Sequence, residues 1–305
     1  MTTPPMSGDS PELLSLADHI WHRWRSVRVH GGFVARNIDT GRQLCVAPDR
    51  PWPLASIAKV PLALVVADRV ARGELGGDTA VTLQPAGRSP GPTGFSAFRH
   101  PATCAIDDLL LQMITVSDNA AADALFELVP PADVTSRLRY WGVDAIHVRH
   151  PMRLMYEAAT RVAGPDFTLG RRLAVEGSRA GGGHVIDSLD VHRATVGSAG
   201  ALVELLCRIW TDDVASPAAT ATVRDAMAKQ PASPRIGADL QADDVAIAAK
   251  TGSFLTLRHE IGVVEYGTSR VAIAALTVSE RIARIQQDVD LAVGAAARDA
   301  VEALA

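Results

Sequence analysis

Cysteine is scarce in this 305-residue chain. The three present, Cys45, Cys104 and Cys207, are odd in number, widely separated and without a Cys-x-x-Cys pair. A disulfide framework and a cysteine-built zinc cluster are thereby excluded, and buried free thiols are expected. A basic surplus is missing as well. Thirty Lys and Arg against 34 Asp and Glu give a formal net charge of −4, and no Lys/Arg block is interleaved with aromatics. Nucleic acid as a partner has no electrostatic footprint here. The stretch from Met1 to Asp9 has neither a basic start nor an apolar run, so as given it is no signal peptide and no membrane anchor. The expectation is a soluble, cytoplasmic protein with no membrane partner. The histidine pairs His19/His22 and His147/His150 have a spacing that could serve a metal, but no acidic or cysteine partner matches it. No metal and no cofactor are expected, and nothing in the sequence speaks to oligomeric state.

What the chain does have is apolar residues, 48% of the total, enough for a sizeable core and against disorder. Glu12 to Trp21 repeats its apolar residues at helical intervals. Residues 32–37 and 42–47 flank Asp39-Thr40-Gly41 as a hairpin would. A nearly all-apolar run from Ser56 to about Ala71 reads as a buried helix. Gly73 to Pro101 is rich in Gly, Pro and Ser and reads as loop, and helices are expected at 106–114, 120–126, 132–140, 153–162, 199–210 and 223–229. Gly177 to Gly183 reads as a flexible Gly-rich loop. The carboxyl-terminal part turns to strands at 245–250, 259–266 and 270–277, followed by a helix from about Ile282. This order predicts an α+β fold, an αβα sandwich whose antiparallel sheet comes from both chain ends, flanked by helices, with an inserted all-helical subdomain. The expected division is 12–70 plus 240–305 for the sheet part, 71–239 for the insertion, and a disordered 1–11.

Three short motifs stand in order along this frame: Ser56-Ile57-Ala58-Lys59, Ser117-Asp118-Asn119 and Lys250-Thr251-Gly252. Alone, each is weak. A serine at a helix start with a lysine one turn on is an ordinary surface pairing. Yet a spacing of three puts both side chains on one helical face, where an amine can take the hydroxyl proton that a serine must lose to become a nucleophile. Lysine occurs only at Lys59, Lys229 and Lys250, and two of the three fall inside these motifs.

From Glu12 onward the chain resembles the class A β-lactamase and penicillin-recognising serine hydrolase superfamily, in which this motif set recurs. The resemblance implies a β-lactamase/transpeptidase-like fold and an acyl-enzyme formed on Ser56. Lys59 would accept or relay the proton, and Ser117 would pass one to the leaving nitrogen with help from the field of Lys250. The backbone N–H groups of Ser56 and Ser253 would form the oxyanion hole. Lys250, Thr251, Gly252 and Ser253 would hold a substrate carboxylate and Asn119 a substrate amide. Arg258 is a second candidate for the carboxylate, or an exposed charge on a strand edge. Asp118 reads as a structural turn residue.

The departure comes where deacylation is decided. The family's Glu-x-x-Leu-Asn loop should fall near residues 150–155, where there is no acid. Glu157 lies about a turn late, and Glu176 is the other candidate base; both could equally be solvated helix charges. The stretch from Ser117 to Lys250 is also longer than a compact class A enzyme needs. The leading expectation is a serine hydrolase acting on an amide, lactam or ester of a small or peptide-like, carboxylate-bearing substrate. A true β-lactamase with a displaced base and a non-catalytic, ligand-binding member of the fold are the alternatives.

Overall fold

The computed structural model describes residues 3–177, 183–240 and 244–305. The chain begins with β1 (Met6–Gly8), α1 (Pro11–Ser26), β2 (Val29–Asn37), β3 (Gln43–Val46) and β4 (Trp52–Pro53), then passes through a 3₁₀ turn (Ala55–Ala58) into α2 (Lys59–Ala71). The middle carries β5 (Ala80–Leu83), β6 (Ala102–Ala105), α3 (Ile106–Thr115), α4 (Asn119–Leu128), α5 (Pro131–Tyr140), α6 (Met152–Ala163), α7 (Phe167–Gly177), β7 (Val196–Gly197), α8 (Ala199–Trp210) and α9 (Pro217–Ala228). The last part is β8 (Val245–Phe254), β9 (Leu257–Tyr266), β10 (Ser269–Ser279) and α10 (Gln287–Leu304).

One six-stranded antiparallel sheet, in the order β1-β3-β2-β10-β9-β8, joins the two chain ends as the element order predicts. Alternation along the strands divides its side chains between two cores. Phe33, Ala35, Ile273 and Ala275 face Trp24 of α1 and Val293 and Ala297 of α10. Val34, Ala274 and Leu276 face the other way, onto Leu62 of α2 and Leu206 of α8. A period of two thus lets one sheet serve two helical layers. β8 ends the sheet, and among the described residues its outer edge has no strand neighbour.

Four local expectations are corrected. Met6–Gly8, expected to be disordered, pairs with Val46, Cys45 and Leu44 of β3 as an edge strand. The Gly/Pro-rich stretch after Gly73 holds β5, which pairs with β6 in a small separate sheet, so the middle segment is mostly but not wholly helical. α9 starts at Pro217 rather than Val223, with the Ser216 hydroxyl capping Ala219 N–H at 3.3 Å. The last helix starts at Gln287 rather than Ile282, because the preceding segment is tied to the sheet by a Ser279–Gln286 side-chain bond and by Arg258 donating to Arg284 C=O at 2.8 Å. Most of the Gly177 to Gly183 stretch lies outside the described residues. Among the described residues no helix is long and apolar enough to cross a membrane.

Candidate active site

Pro61 has no N–H to give in the first turn of α2, and the chain enters that helix through a tighter 3₁₀ turn, closed by Ile57 N–H on Leu54 C=O at 3.1 Å. Ser56 therefore sits in the turn before the helix rather than at its first residue. It is 8% exposed, whereas Lys59, the first residue of α2, is fully buried.

Four hydrogen bonds surround the Lys59 amine. Nζ lies 3.2 Å from Ser56 Oγ, 3.2 Å from Ser117 Oγ, 2.7 Å from Ser117 O and 2.7 Å from Asn119 Oδ1. The Asn119 amide can face only one way, since its Nδ2 donates to Pro90 C=O at 2.7 Å, which leaves Oδ1 for the lysine. Burial pushes the Lys59 amine well below its ordinary range, and the charge of Lys250 adds to this against the opposing Asp118 and Asp123. A neutral amine has two hydrogens and one lone pair. In that form the two short bonds, to oxygens that can only accept, would take both hydrogens and leave the lone pair for a hydroxyl of Ser56 or Ser117.

Ser117 itself holds a left-handed backbone with φ of 57°, a conformation that costs a non-glycine residue about 1–3 kcal/mol. The twist lets both its carbonyl and its hydroxyl reach the same amine. Asp118 fixes this corner as a turn residue. Its carboxylate caps α4 through Ala120 N–H and Ala121 N–H and accepts Phe95 N–H at 2.5 Å and Ser96 Oγ at 3.0 Å. The loop that supplies Pro90 is held in turn by Arg88, whose guanidinium donates to the carbonyls of Leu83, Phe95, Phe98 and His100.

The third wall is β8. A Cβ on Gly252 would lie 2.8 Å from Ile57 Cγ1 and 3.0 Å from Leu54 O, so only glycine lets this strand pack against the turn that carries Ser56. Lys250 is fully buried, donates to Thr251 C=O at 2.9 Å, and is pushed down to about 7 by burial, with Arg235 lowering it further and Glu260 opposing. Thr251 N–H donates to Gln230 Oε1 at 3.2 Å. Ser253 Oγ accepts a bond from Arg235 Nη2 at 2.8 Å. Arg235 is a buried cation that sequence reasoning missed. Its remaining donors reach Asp290 Oδ1 at 2.9 Å and His259 C=O at 2.8 Å. It lies outside every motif, and no periodicity marks it.

Arg258 is corrected in one respect. It pairs with Ser253 across β8 and β9, but β9 is an interior strand and Arg258 is buried, so it is no exposed edge charge. Its guanidinium donates to the carbonyls of Leu255, Leu257, Ala283 and Arg284, stapling the β8–β9 turn to the approach of α10.

The remaining wall is α6. Asp123, buried and missed from the sequence, accepts Met152 N–H at 2.6 Å and Arg153 N–H at 2.8 Å, together with the Ser89 hydroxyl, and so anchors the helix beside the site. On this helix the phenol of Tyr156 lies beside the Asn119 side chain, and its ring packs on Phe254 at 5.4 Å. Glu157, one residue on, is turned about 100° away. It is exposed and faces Arg153 at 3.6 Å. Glu176, in the last turn of α7, is exposed too. Among the described residues, Ser56 Oγ has Lys59 as its hydrogen-bond partner, and no carboxylate contacts it. No group of His, Cys, Asp and Glu suited to a metal ion occurs among the described residues.

Comparison with known proteins follows the same lines. A sequence profile of the beta-lactamase enzyme family matches residues 17–304. The beta-lactamase regulatory protein BlaB of Streptomyces cacaoi is 41% identical over 265 residues, which covers 82% of this chain and 85% of that protein. A beta-lactamase from Chitinophaga pinensis superposes with a TM-score of 0.77 at 22% identity, over 95% of this chain and 100% of that one. A point mutant of PBP-A, solved as an acyl-enzyme complex with penicillin-G, gives a TM-score of 0.73 at 18% identity over 94% of this chain and 97% of that one. The solved structures share the fold, and the profile match reaches nearly from end to end. The chain belongs to the beta-lactamase enzyme family.

Proposed function

We propose that the protein is a serine acyl acceptor of the penicillin-recognising type, in which Ser56 is acylated by a lactam, amide or ester and released slowly. The observation that carries this reading is the Lys59 amine, buried, pushed toward its neutral form by burial, and held within hydrogen-bond reach of the Ser56 and Ser117 hydroxyls. Ser56 Oγ attacks the carbonyl carbon while its proton passes to Lys59 Nζ. As the C–N bond breaks, the nitrogen takes a proton from Ser117 Oγ, which is refilled from Lys59. The backbone N–H groups of Ser56 and Ser253 stabilise the oxyanion between the turn and β8. Lys250 and Thr251 hold the substrate carboxylate, with Arg235 adding positive field through Ser253. Asn119, whose side chain also meets the Tyr156 phenol, flanks the place of a substrate amide.

Slow release is supported by the exposed positions of Glu157 and Glu176 and by the lack, among the described residues, of a carboxylate against Ser56. The name of the Streptomyces cacaoi relative favours a regulatory use of the site, in which the persistent adduct is the signal. It also favours a second reading, a member that binds its ligand without acylation. Intact-mass measurement over time with penicillin-G separates these. A lasting adduct that Ser56→Ala abolishes supports the acyl acceptor, and rapid appearance and loss marks a true β-lactamase. Saturable binding without an adduct marks the ligand-binding member. An adduct that survives Ser56→Ala overturns the mechanism.

A further inference from the structure

Glu260 lies on β9 directly opposite Thr251 of β8 and is fully buried. Its Oε2 accepts Arg235 N–H at 3.0 Å and Ile236 N–H at 2.5 Å, and so caps the short 3₁₀ turn Ile236–Asp239. Its Oε1 is buried with no hydrogen-bond partner among the described residues. An amide or a hydroxyl would cap such a turn at less cost, because a buried carboxylate gives up far more hydration than a neutral group does. The charge calls for a second use. What Glu260 holds is Arg235, the cation that reaches Ser253. The chain after α9 brings Arg235 in without helix or strand, and β9 grips it twice: Glu260 takes its backbone N–H, and the His259 carbonyl takes Nη1 at 2.8 Å. Held at both ends, Arg235 sends Nη2 to Ser253 Oγ at 2.8 Å and Nε to Asp290 Oδ1 of α10 at 2.9 Å.

We propose that Glu260 is a positioning residue of the acylation site, which sets Arg235 against Ser253 and offsets the charge of Arg235 at Lys250. The charged groups of this cluster are Lys250 on β8, Arg258 on β9, Arg235 itself and Asp290 on α10, with Lys59 of α2 close enough to repel Lys250 and His259 kept neutral by burial. The Ser233 hydroxyl is the neutral polar group near the carboxylate. At Lys250 the positive charge of Arg235 and the negative charge of Glu260 act in opposite directions. Lys250, pushed down to about 7, is charged below that pH. Without the charge of Glu260 its proton leaves at lower pH, and the pull on a substrate carboxylate ends earlier as pH rises. Ser253 N–H as an oxyanion donor and Lys250 as the holder of a carboxylate both rest on the acyl-acceptor reading. The link from Glu260 to Lys250 does not.

Lysine occurs only at Lys59, Lys229 and Lys250, so the whole protein labelled with carbon-13 at the lysine ε-carbon gives a simple NMR titration, assigned with Lys250→Met and Lys229→Gln. Glu260→Gln keeps a carbonyl oxygen for the two backbone bonds and removes the charge. In it the Lys250 midpoint should fall by about one pH unit, which takes the charged share at pH 7 from about half to about a tenth. The second-order acylation constant of penicillin-G, relative to that of its methyl ester, should fall about fivefold at the same pH. Glu260→Leu, which also releases Arg235, should lower both constants by about tenfold or more. A Lys250 midpoint that stays put in folded Glu260→Gln overturns the proposal and leaves Glu260 a cap for a turn. So does a midpoint that moves while penicillin-G keeps its full advantage over the ester. Near-normal constants in folded Glu260→Leu overturn the hold on Arg235, and should that variant not fold, Glu260→Gln alone decides. If penicillin-G never acylates Ser56 while the midpoint still moves, it is the acyl-acceptor reading that fails and the link to Lys250 that stands.

Discussion

The two sides of the site are built differently. Around Lys59, side chains and backbone from α2, the Ser117 corner and the Pro90 loop converge on one buried amine, and each polar atom has a fixed partner. Along α6 and α7 the carboxylates point outward, Glu157 toward Arg153 and Glu176 toward solvent, while Tyr156 occupies the position facing Asn119. One side gathers its hydrogen bonds on the amine beside Ser56. The other, among the described residues, holds no base against it. On the acyl-acceptor reading, the contrast assigns forming and clearing an acyl-enzyme to different elements of the fold.

The strongest way to break that contrast is at the amine. Lys59→Met should lower the acylation rate at least about 100-fold, and Lys59→Arg should do the same, because a guanidinium does not surrender its proton. Stopped-flow or mass-resolved acylation checks this, and a near-normal rate in either variant means another base serves Ser56. The other side can be sharpened by adding what it lacks. Tyr156→Glu places a carboxylate on the α6 face beside Asn119 and should shorten the adduct lifetime by about tenfold or more. An unchanged lifetime in a folded variant would show that a nearby carboxylate is not what limits release.

A smaller effect is expected from pH. Lys250, pushed down to about 7 by burial, is charged below that pH and neutral above it. Its attraction for a substrate carboxylate is therefore present below about 7 and is lost as pH rises through that value. The second-order acylation constant of penicillin-G should fall severalfold between about pH 6 and about pH 8.5 relative to that of its methyl ester, which lacks the charge. Parallel profiles for the two would remove Lys250 from carboxylate recognition. Smallest of all, Glu157→Gln and Glu176→Gln should each leave the adduct lifetime within about twofold. A clear lengthening in one of them identifies a working base and makes the protein a β-lactamase.

Much of the frame is legible in the residues, and the reasons are local. The apolar runs of β9 and β10, the apolar run after Ser56 and the Asn/Asp corner at 118–119 each carry their own composition or turn chemistry. The three motifs stand out because lysine is so rare here. What stays hidden depends on contacts between distant segments. The pairing of Met6–Gly8 needs β3 beside it, and the 3₁₀ entry at Ala55 depends on how Leu54 and Ile57 pack against Gly252 of β8. Arg235 and Asp123 act through Ser253 and through the first N–H groups of α6, partners far off in sequence. Glu157 and Tyr156 differ by one position, and only the rotation of α6 decides which faces the site.

Gly252 carries a consequence of its own. The turn at Leu54–Ile57 and the strand at Gly252 come from the amino- and carboxyl-terminal parts of the chain and meet with no strand side chain between them, Ile57 and the Leu54 carbonyl lying against the Gly252 backbone. The turn that carries Ser56 thus takes its packed form only when these two segments have docked. On the acyl-acceptor reading, adduct yield on Ser56 would therefore count properly folded molecules and serve as an active-site titration of refolding or of truncated variants.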